Sequence, residues 1–104
     1  MNLYAFKTTK KHKKYWQNRQ IDWKKDYLST YNHPHRQVII AALKMFDWFS
    51  LIEIGVGGGA NLMNIIKNLS NKQVGGVDVN PEAIALCDKT FQNGVFKVCS
   101  ADDI

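Results

Sequence analysis

The sequence predicts an α/β fold, with a three-stranded parallel sheet preceded by N-terminal helices. Three observations lead there. Over residues 51–104, short apolar runs alternate with amphipathic stretches in the order strand, helix, strand, helix, strand. The links between them are short, which favours right-handed crossovers and parallel strands. The first strand also runs directly into a glycine-rich turn, Gly55-Val56-Gly57-Gly58-Gly59, followed by a helix.

Taken in order, residues 1–31 form a basic, aromatic extension. Trp16, Arg19, Trp23 and Tyr27 fall on one helical stripe, widened by Tyr15, Leu28 and Tyr31. Asn18 or Asp22 can cap a second helix, so one broken helix or two short ones are expected, docked on a larger core. Residues 32–104 form the domain itself. A helix is expected over 32–49, capped by Asn32 or His33, with Pro34 at its first position. Its inward face is read as Val38, Ile39, Ala42, Met45 and Phe46. Leu51 to Ile54 is the first strand. Ala60 to Leu69 is a helix burying Leu62, Ile65, Ile66 and Leu69. Gln73 to Val79 is the second strand. Asn80-Pro81-Glu82 combines a cap, a proline at the first position and an acid in the first turn, so a helix runs from there to about Phe91. Asn93-Gly94 turns the chain into a third strand, Val95 to Cys99.

The bulk numbers narrow the class. The chain has 104 residues and a formal net charge of +5. One domain is the ceiling at that length. No apolar run approaches the ~20 residues that span a bilayer, and the lysines follow rather than precede the mildly apolar start, so no export signal is read and a cytoplasmic location is expected. Cys87 and Cys99 lack metal-ligand spacing and company; they read as buried reduced thiols, and no metal site is expected. The basic excess is local: residues 1–50 carry 10 basic and 3 acidic side chains (+7), residues 51–104 carry 4 and 6 (−2). The Lys7–Lys14 cluster is a solvated end, or, as the lesser alternative, a lead onto RNA. His33 and His35 have no third ligand and read as helix-entry residues.

The glycine turn exposes backbone at the N-terminus of a helix, where a ligand can approach closely. The second strand ends in Asp78, 23 residues after Gly55, and a carboxylate there accepts hydrogen bonds from vicinal hydroxyls. The third strand ends in Ser100-Ala101-Asp102 at the same carboxyl edge. Gly55 to Ala60 also satisfies a dinucleotide fingerprint. Glu53 decides against it: a carboxylate at the mouth of a buried strand needs a partner, which a ligand ammonium supplies and a pyrophosphate does not.

These residues resemble the cofactor half of the class I S-adenosylmethionine-dependent methyltransferases, over about half of the chain. The (D/E)-x-G-x-G-x-G motif is matched by Glu53, Gly55, Gly57 and Gly59, the acid of the second strand by Asp78, and the motif after the third strand, loosely, by Cys99 to Ile104. The resemblance implies a Rossmann-like sheet truncated to three strands in the order 3-2-1. It implies S-adenosylmethionine as cofactor, with Glu53 near the methionine ammonium and the backbone of Gly55, Val56, Gly57 and Gly59 along the methionine and ribose. Asp78 would take the ribose hydroxyls and Val79 the adenine face. The adenine edge falls to Ser100, Asp102 or the backbone of Ala101, since Ser100 replaces the family's usual acid. Arg19 has two readings: it pairs with the methionine carboxylate while Tyr15 or Trp16 covers the sulfonium, or, the favoured one, it stacks on Trp16 or Trp23 at the surface.

The family's substrate-orienting groups follow a fourth strand, which is expected to begin just after Ile104, so no catalytic base is assigned and the methyl acceptor stays open. Without that strand, Leu51 to Ile54 becomes an apolar edge, and self-association through it is expected unless another segment covers it. A non-catalytic nucleotide-binding or regulatory module and an RNA-binding fragment of an RNA methyltransferase are the rival functions.

Overall fold

Alternation along three short strands fixes which side of the sheet carries the core. The computed structural model describes residues 11–103; Lys7 and Lys10 of the lysine cluster and Ile104 lie outside the described residues. Residues 11–17 are helical. Then follow α1 (Trp23–Asp26), α2 (Gln37–Leu43), β1 (Ser50–Ile54), α3 (Ala60–Asn68), β2 (Gln73–Asp78), α4 (Pro81–Thr90) and β3 (Val95–Val98). Single 3-10 turns occupy Leu28–Thr30, Pro34–Arg36 and Ala101–Asp103. The strands are parallel in the order β1-β2-β3, with Ser50 opposite Gln73 and Gly75 opposite Val95.

Side chains alternate across a strand, so Leu51, Val74 and Phe96 share one face. That face meets Leu62 and Ile65 of α3 and Ile84 and Cys87 of α4, and with Phe91, Val56, Leu28 and Ile40 they form one core. The N-terminal extension therefore contributes to the same core as the residues after it. The opposite face carries Ile52 and Val95, which are 68% and 76% exposed. Among the described residues β1 pairs only with β2 and presents an open edge.

The helix entries follow their sequence signals closely. Asn80 caps α4 by accepting from the N–H groups of Glu82 and Ala83, with Pro81 at the first position. Asp22 caps α1 by accepting from Lys25 N. The aromatic stripe is broken between residue 17 and Trp23 into two short helical pieces.

Three expectations need correction. The helix read over 32–49 is a 3-10 turn plus α2, which ends at Leu43. The indole Nε1 of Trp48 donates to the carbonyl of Leu43 and closes that end at 3.0 Å. Ile40 and Leu43 of α2 reach the core while Val38 faces outward, and Met45 and Phe46 lie exposed beyond the end of the helix. On α3, Ile66 is exposed and Asn64 is buried instead. Its amide supplies the reason: Asn64 Nδ2 donates to the carbonyl of Arg36, and its Oδ1 accepts from Gln37 and Asn68. Of the two thiols only Cys87 is fully buried; Cys99 is half-buried.

Leu62 has no solvent exposure, whereas Ile66 is open. Leu62→Ala should lower unfolding free energy by about 2–5 kcal/mol, and Ile66→Ala by less than about 1 kcal/mol. Urea unfolding of the two variants checks this ordering; similar losses would refute the assignment of the buried face.

Candidate functional site

The carboxyl ends of the three strands open into a cleft of about 460 Å³, a size usual for small-molecule sites. Its floor is the turn after β1. Three glycines there have left-handed backbone, Gly55 (φ 75), Gly57 (φ 56) and Gly59 (φ 87). They serve different ends. A Cβ on Gly55 would meet nothing within 4 Å, so this position faces open space. A Cβ on Gly59 would come within 2.6 Å of the Phe91 ring, so Gly59 is needed to seat α3 against the residue that ends α4. Gly58 has ordinary backbone, but a Cβ would lie 2.7 Å from the carbonyl oxygen of Trp23, which packs directly over the turn.

Asp78 ties the turn to β2. Its Oδ2 accepts from Gly57 N at 2.9 Å and its Oδ1 from Asn80 N at 2.9 Å. Each carboxylate oxygen retains a further lone pair for a ligand hydroxyl. Gly55 N and Val56 N both donate to the carbonyl of Val77, which closes the turn on the end of β2.

Glu53 comes from β1 and points to the core side of the sheet, since it alternates with the exposed Ile52 and Ile54. Asn61 Nδ2 donates to its Oε2 at 2.8 Å. Its other oxygen, Oε1, is buried and has no hydrogen-bond partner among the described residues. Asn61 Oδ1 in turn accepts from Arg36 Nη1 at 2.7 Å. Arg36 is set by Thr30, whose carbonyl and hydroxyl accept from Nε and Nη2, and by Asn64, which holds its backbone carbonyl. Three of the five guanidinium N–H groups are thus used, leaving two for a ligand. The row Arg36–Asn61–Glu53 puts a cation and a carboxylate at one end of the cleft with a neutral amide between them.

Burial pushes the Glu53 carboxyl above its ordinary range; the Asn61 bond and the Arg36 charge pull it down, and Asp78 adds a further upward push. Cys87 lies beneath the turn and its thiol donates to the carbonyl of Gly57 at 3.3 Å. Burial, with the charges of Asp78, Asp88 and Glu53, pushes that thiol up to about 12, so it stays protonated and unreactive at neutral pH.

The sequence-read residues divide cleanly. Glu53, Gly55, Val56, Gly57, Asp78, Val79 and Ala101 line the cleft. Gly59, Ser100, Asp102 and Arg19 do not. The Ser100 hydroxyl is buried and turned onto the Asp102 carboxylate, which this bond holds below the usual carboxylate range. Arg19 stacks at the surface, but on Tyr15, with its guanidinium carbon 5.3 Å from the ring centroid, rather than on Trp16 or Trp23. Residues not read from the sequence as site groups include Arg36, Asn61, Gly58, Tyr27, Cys99 and Trp23, all of which line the cleft, as does Trp16. Asn61 had a usable signal, as the second residue of the helix that follows the glycine turn. Arg36 had none, because its place depends on the 3-10 turn and on Asn64. Among the described residues no cluster of His, Cys, Asp and Glu fits a metal ion, and no helix is long and apolar enough to cross a membrane.

No family model matches the chain, and no curated protein does. Solved structures do. A coclaurine N-methyltransferase bound to N-methylheliamine and SAH matches 64% of this chain at 15% identity, with a TM-score of 0.51. The plantazolicin methyltransferase BpumL, in complex with a monoazolic desmethylPZN analogue and SAH, matches 97% of it at 22% identity, again with a TM-score of 0.51. BpumL with SAH alone matches 93% at 21% identity and the same TM-score. At these identities the likeness is one of fold: the chain has the α/β fold of these methyltransferases. It spans only 21–38% of their lengths.

A carboxyl raised by burial holds its proton longer in the folded than in the unfolded state. Its contribution to stability is full below the ordinary carboxyl range and is lost as pH rises from there through the raised value. Removing the charge with Glu53→Gln should therefore favour the folded ligand-free protein increasingly, relative to the unaltered chain, between about pH 4 and about pH 7. Urea midpoints of both proteins at the two pH values test it; a difference that does not grow with pH would show that Glu53 is not desolvated.

Proposed function

We propose that the chain is the cofactor-binding part of an S-adenosylmethionine-dependent methyltransferase. The observation that carries this reading is the buried, partnerless Oε1 of Glu53, in the wall of a cleft floored by a glycine turn. A desolvated carboxylate oxygen without a donor is costly. A ligand ammonium supplies both the donor and the opposing charge. The two free N–H groups of Arg36, at the same end, suit the carboxylate of the same amino-acid group. Asp78 supplies acceptors for ribose hydroxyls, and Val79, Cys99 and Ala101 offer an apolar border for a purine. That the two fold-related methyltransferases hold SAH in all three structures supports the same assignment.

Bound S-adenosylmethionine would supply an electrophilic methyl group for in-line displacement. The residues present would contribute binding and orientation, which carry much of the rate of such a transfer. Glu53 and Arg36 would hold the amino-acid end at fixed separation, because Asn61 bridges them and Asn64 anchors Arg36. Trp23, buried over the turn, would exclude water from the middle of the cleft. The open edge of β1 fits self-association through that strand, and a single monomeric species in sedimentation at high concentration would remove that part of the proposal.

Calorimetry is the direct test. The chain should bind S-adenosylhomocysteine and should not bind NAD, whose pyrophosphate would face Glu53. Glu53→Gln should weaken S-adenosylhomocysteine roughly tenfold, about 1.4 kcal/mol, and leave adenosine binding nearly unchanged. Binding of NAD in preference to the thioether nucleoside would sink the reading. An equal loss for adenosine would displace Glu53 from the amino-acid end.

A further inference from the structure

Asn80 does more than cap a helix. Its side chain is 1% exposed and every polar atom of it is used. Oδ1 accepts from Glu82 N and Ala83 N at the start of α4. Nδ2 donates to two carbonyls more than sixty residues earlier in the chain, those of Trp16 and Arg19, each at 2.8 Å. Its backbone N–H holds Asp78 Oδ1. The 16–19 turn is itself closed by Arg19 N donating to Trp16 O, so both carbonyls of one turn converge on one amide. Beyond this latch the same segment has an exposed ion pair at 3.9 Å, Lys13 with Asp103, which contributes little. Trp16, at the start of the latched turn, is half-exposed on its outer side and lines the cleft on its inner side.

We propose that Asn80 is a positioning residue for the ligand of this cleft: its amide latches the 16–19 turn to the strand edge, so that Trp16 forms a wall beside Asp78. The proposal rests on the cofactor reading above for the identity of the ligand. Without it two carbonyls lose a buried donor, and among the described residues the turn keeps its internal Arg19 N to Trp16 O bond and the packing of the buried Trp23 that follows it. Asn80 joins three things that a ligand needs together: the carboxylate on β2, the start of α4 and the aromatic wall. Capping and latching use different atoms of the amide, so they are separable. Serine caps about as well as asparagine through its oxygen but has no second donor to span two carbonyls, and aspartate caps equally well but turns an anion toward them.

The test uses the full chain with Asn80→Ser, Asn80→Asp, Trp16→Ala and the Trp16→Ala/Asn80→Ser double variant. Trypsin cleavage of the ligand-free proteins is followed by mass at Arg19, Lys67 and Lys89. With the latch lost, cleavage after Arg19 should rise at least about fivefold in both Asn80 variants, while Lys67 and Lys89 should stay as protected as before. Equal rises at all three sites would reduce Asn80 to a structural cap, and an unchanged Arg19 would remove the latch. Calorimetry with S-adenosylhomocysteine should show each single variant weakened roughly five- to tenfold and the double variant no weaker than the weaker single one. Fully additive losses would show that Asn80 does not act through Trp16. Absence of binding by the unaltered chain would remove the cofactor reading and the positioning role with it. Binding with unchanged affinity in Asn80→Ser would remove the positioning role alone.

Discussion

The carboxylate of Asp78 accepts one N–H from Gly57 and another from Asn80, and the shape of the cleft follows from those two bonds. The first draws the glycine turn of β1 toward the end of β2. The second sets the residue that caps α4. Because β1 and β2 are already in register, the turn has little freedom left once Gly57 is held. Gly55 and Gly57 supply the left-handed backbone that this path requires, at no steric cost. A carboxylate with two backbone donors is also the natural place for a polar ligand, since its remaining lone pairs are fixed in direction.

The second constraint is electrostatic. Glu53 sits where water is largely excluded, and a carboxyl there prefers to keep its proton. Arg36 opposes that preference, but at a distance, through Asn61. A direct Arg36–Glu53 ion pair would satisfy both groups and leave nothing for a ligand. The intervening amide keeps the two charges apart, with one carboxylate oxygen and two guanidinium N–H groups unspent. The zwitterionic ligand proposed for this cleft would satisfy both, and its ammonium would favour the ionised form of Glu53.

The sheet itself is lopsided. One face carries α3 and α4 and the main core cluster. The other, among the described residues, leaves Ile52 and Val95 open and β1 with a free edge. Parallel sheets are usually covered on both faces. The apolar side chains of β1 alternate between a covered and an open side, so the same four-residue run that reads as a buried strand carries two different surfaces. The cleft lies at the end of the covered side, where the packing is good.

The elements from β1 onward, the parallel sheet and the location of the cleft are legible in the residues alone. Those depend on local chemistry: a period-2 strand, glycines where the backbone must go left-handed, and Asn80-Pro81-Glu82 as a helix start. The places of Glu53 and Asp78 at the strand ends are legible too, because strand register fixes where such residues stand. Tertiary structure alone decided which groups face the ligand. Arg36 enters because Thr30, six residues before it, and Asn64, twenty-eight residues after it, hold it in place. Gly59 leaves the cleft lining because Phe91 occupies the space beside it, and Ser100 and Asp102 turn onto each other. Val38 faces outward on a helix entered through a 3-10 turn, and Phe46 lies beyond its end at Leu43; a 3.6-residue pattern registers neither. Asn80 shows the limit most clearly. Its oxygen's role as a cap is written in its two neighbours, whereas the role of its nitrogen depends on a turn more than sixty residues away, which only the folded chain brings within reach.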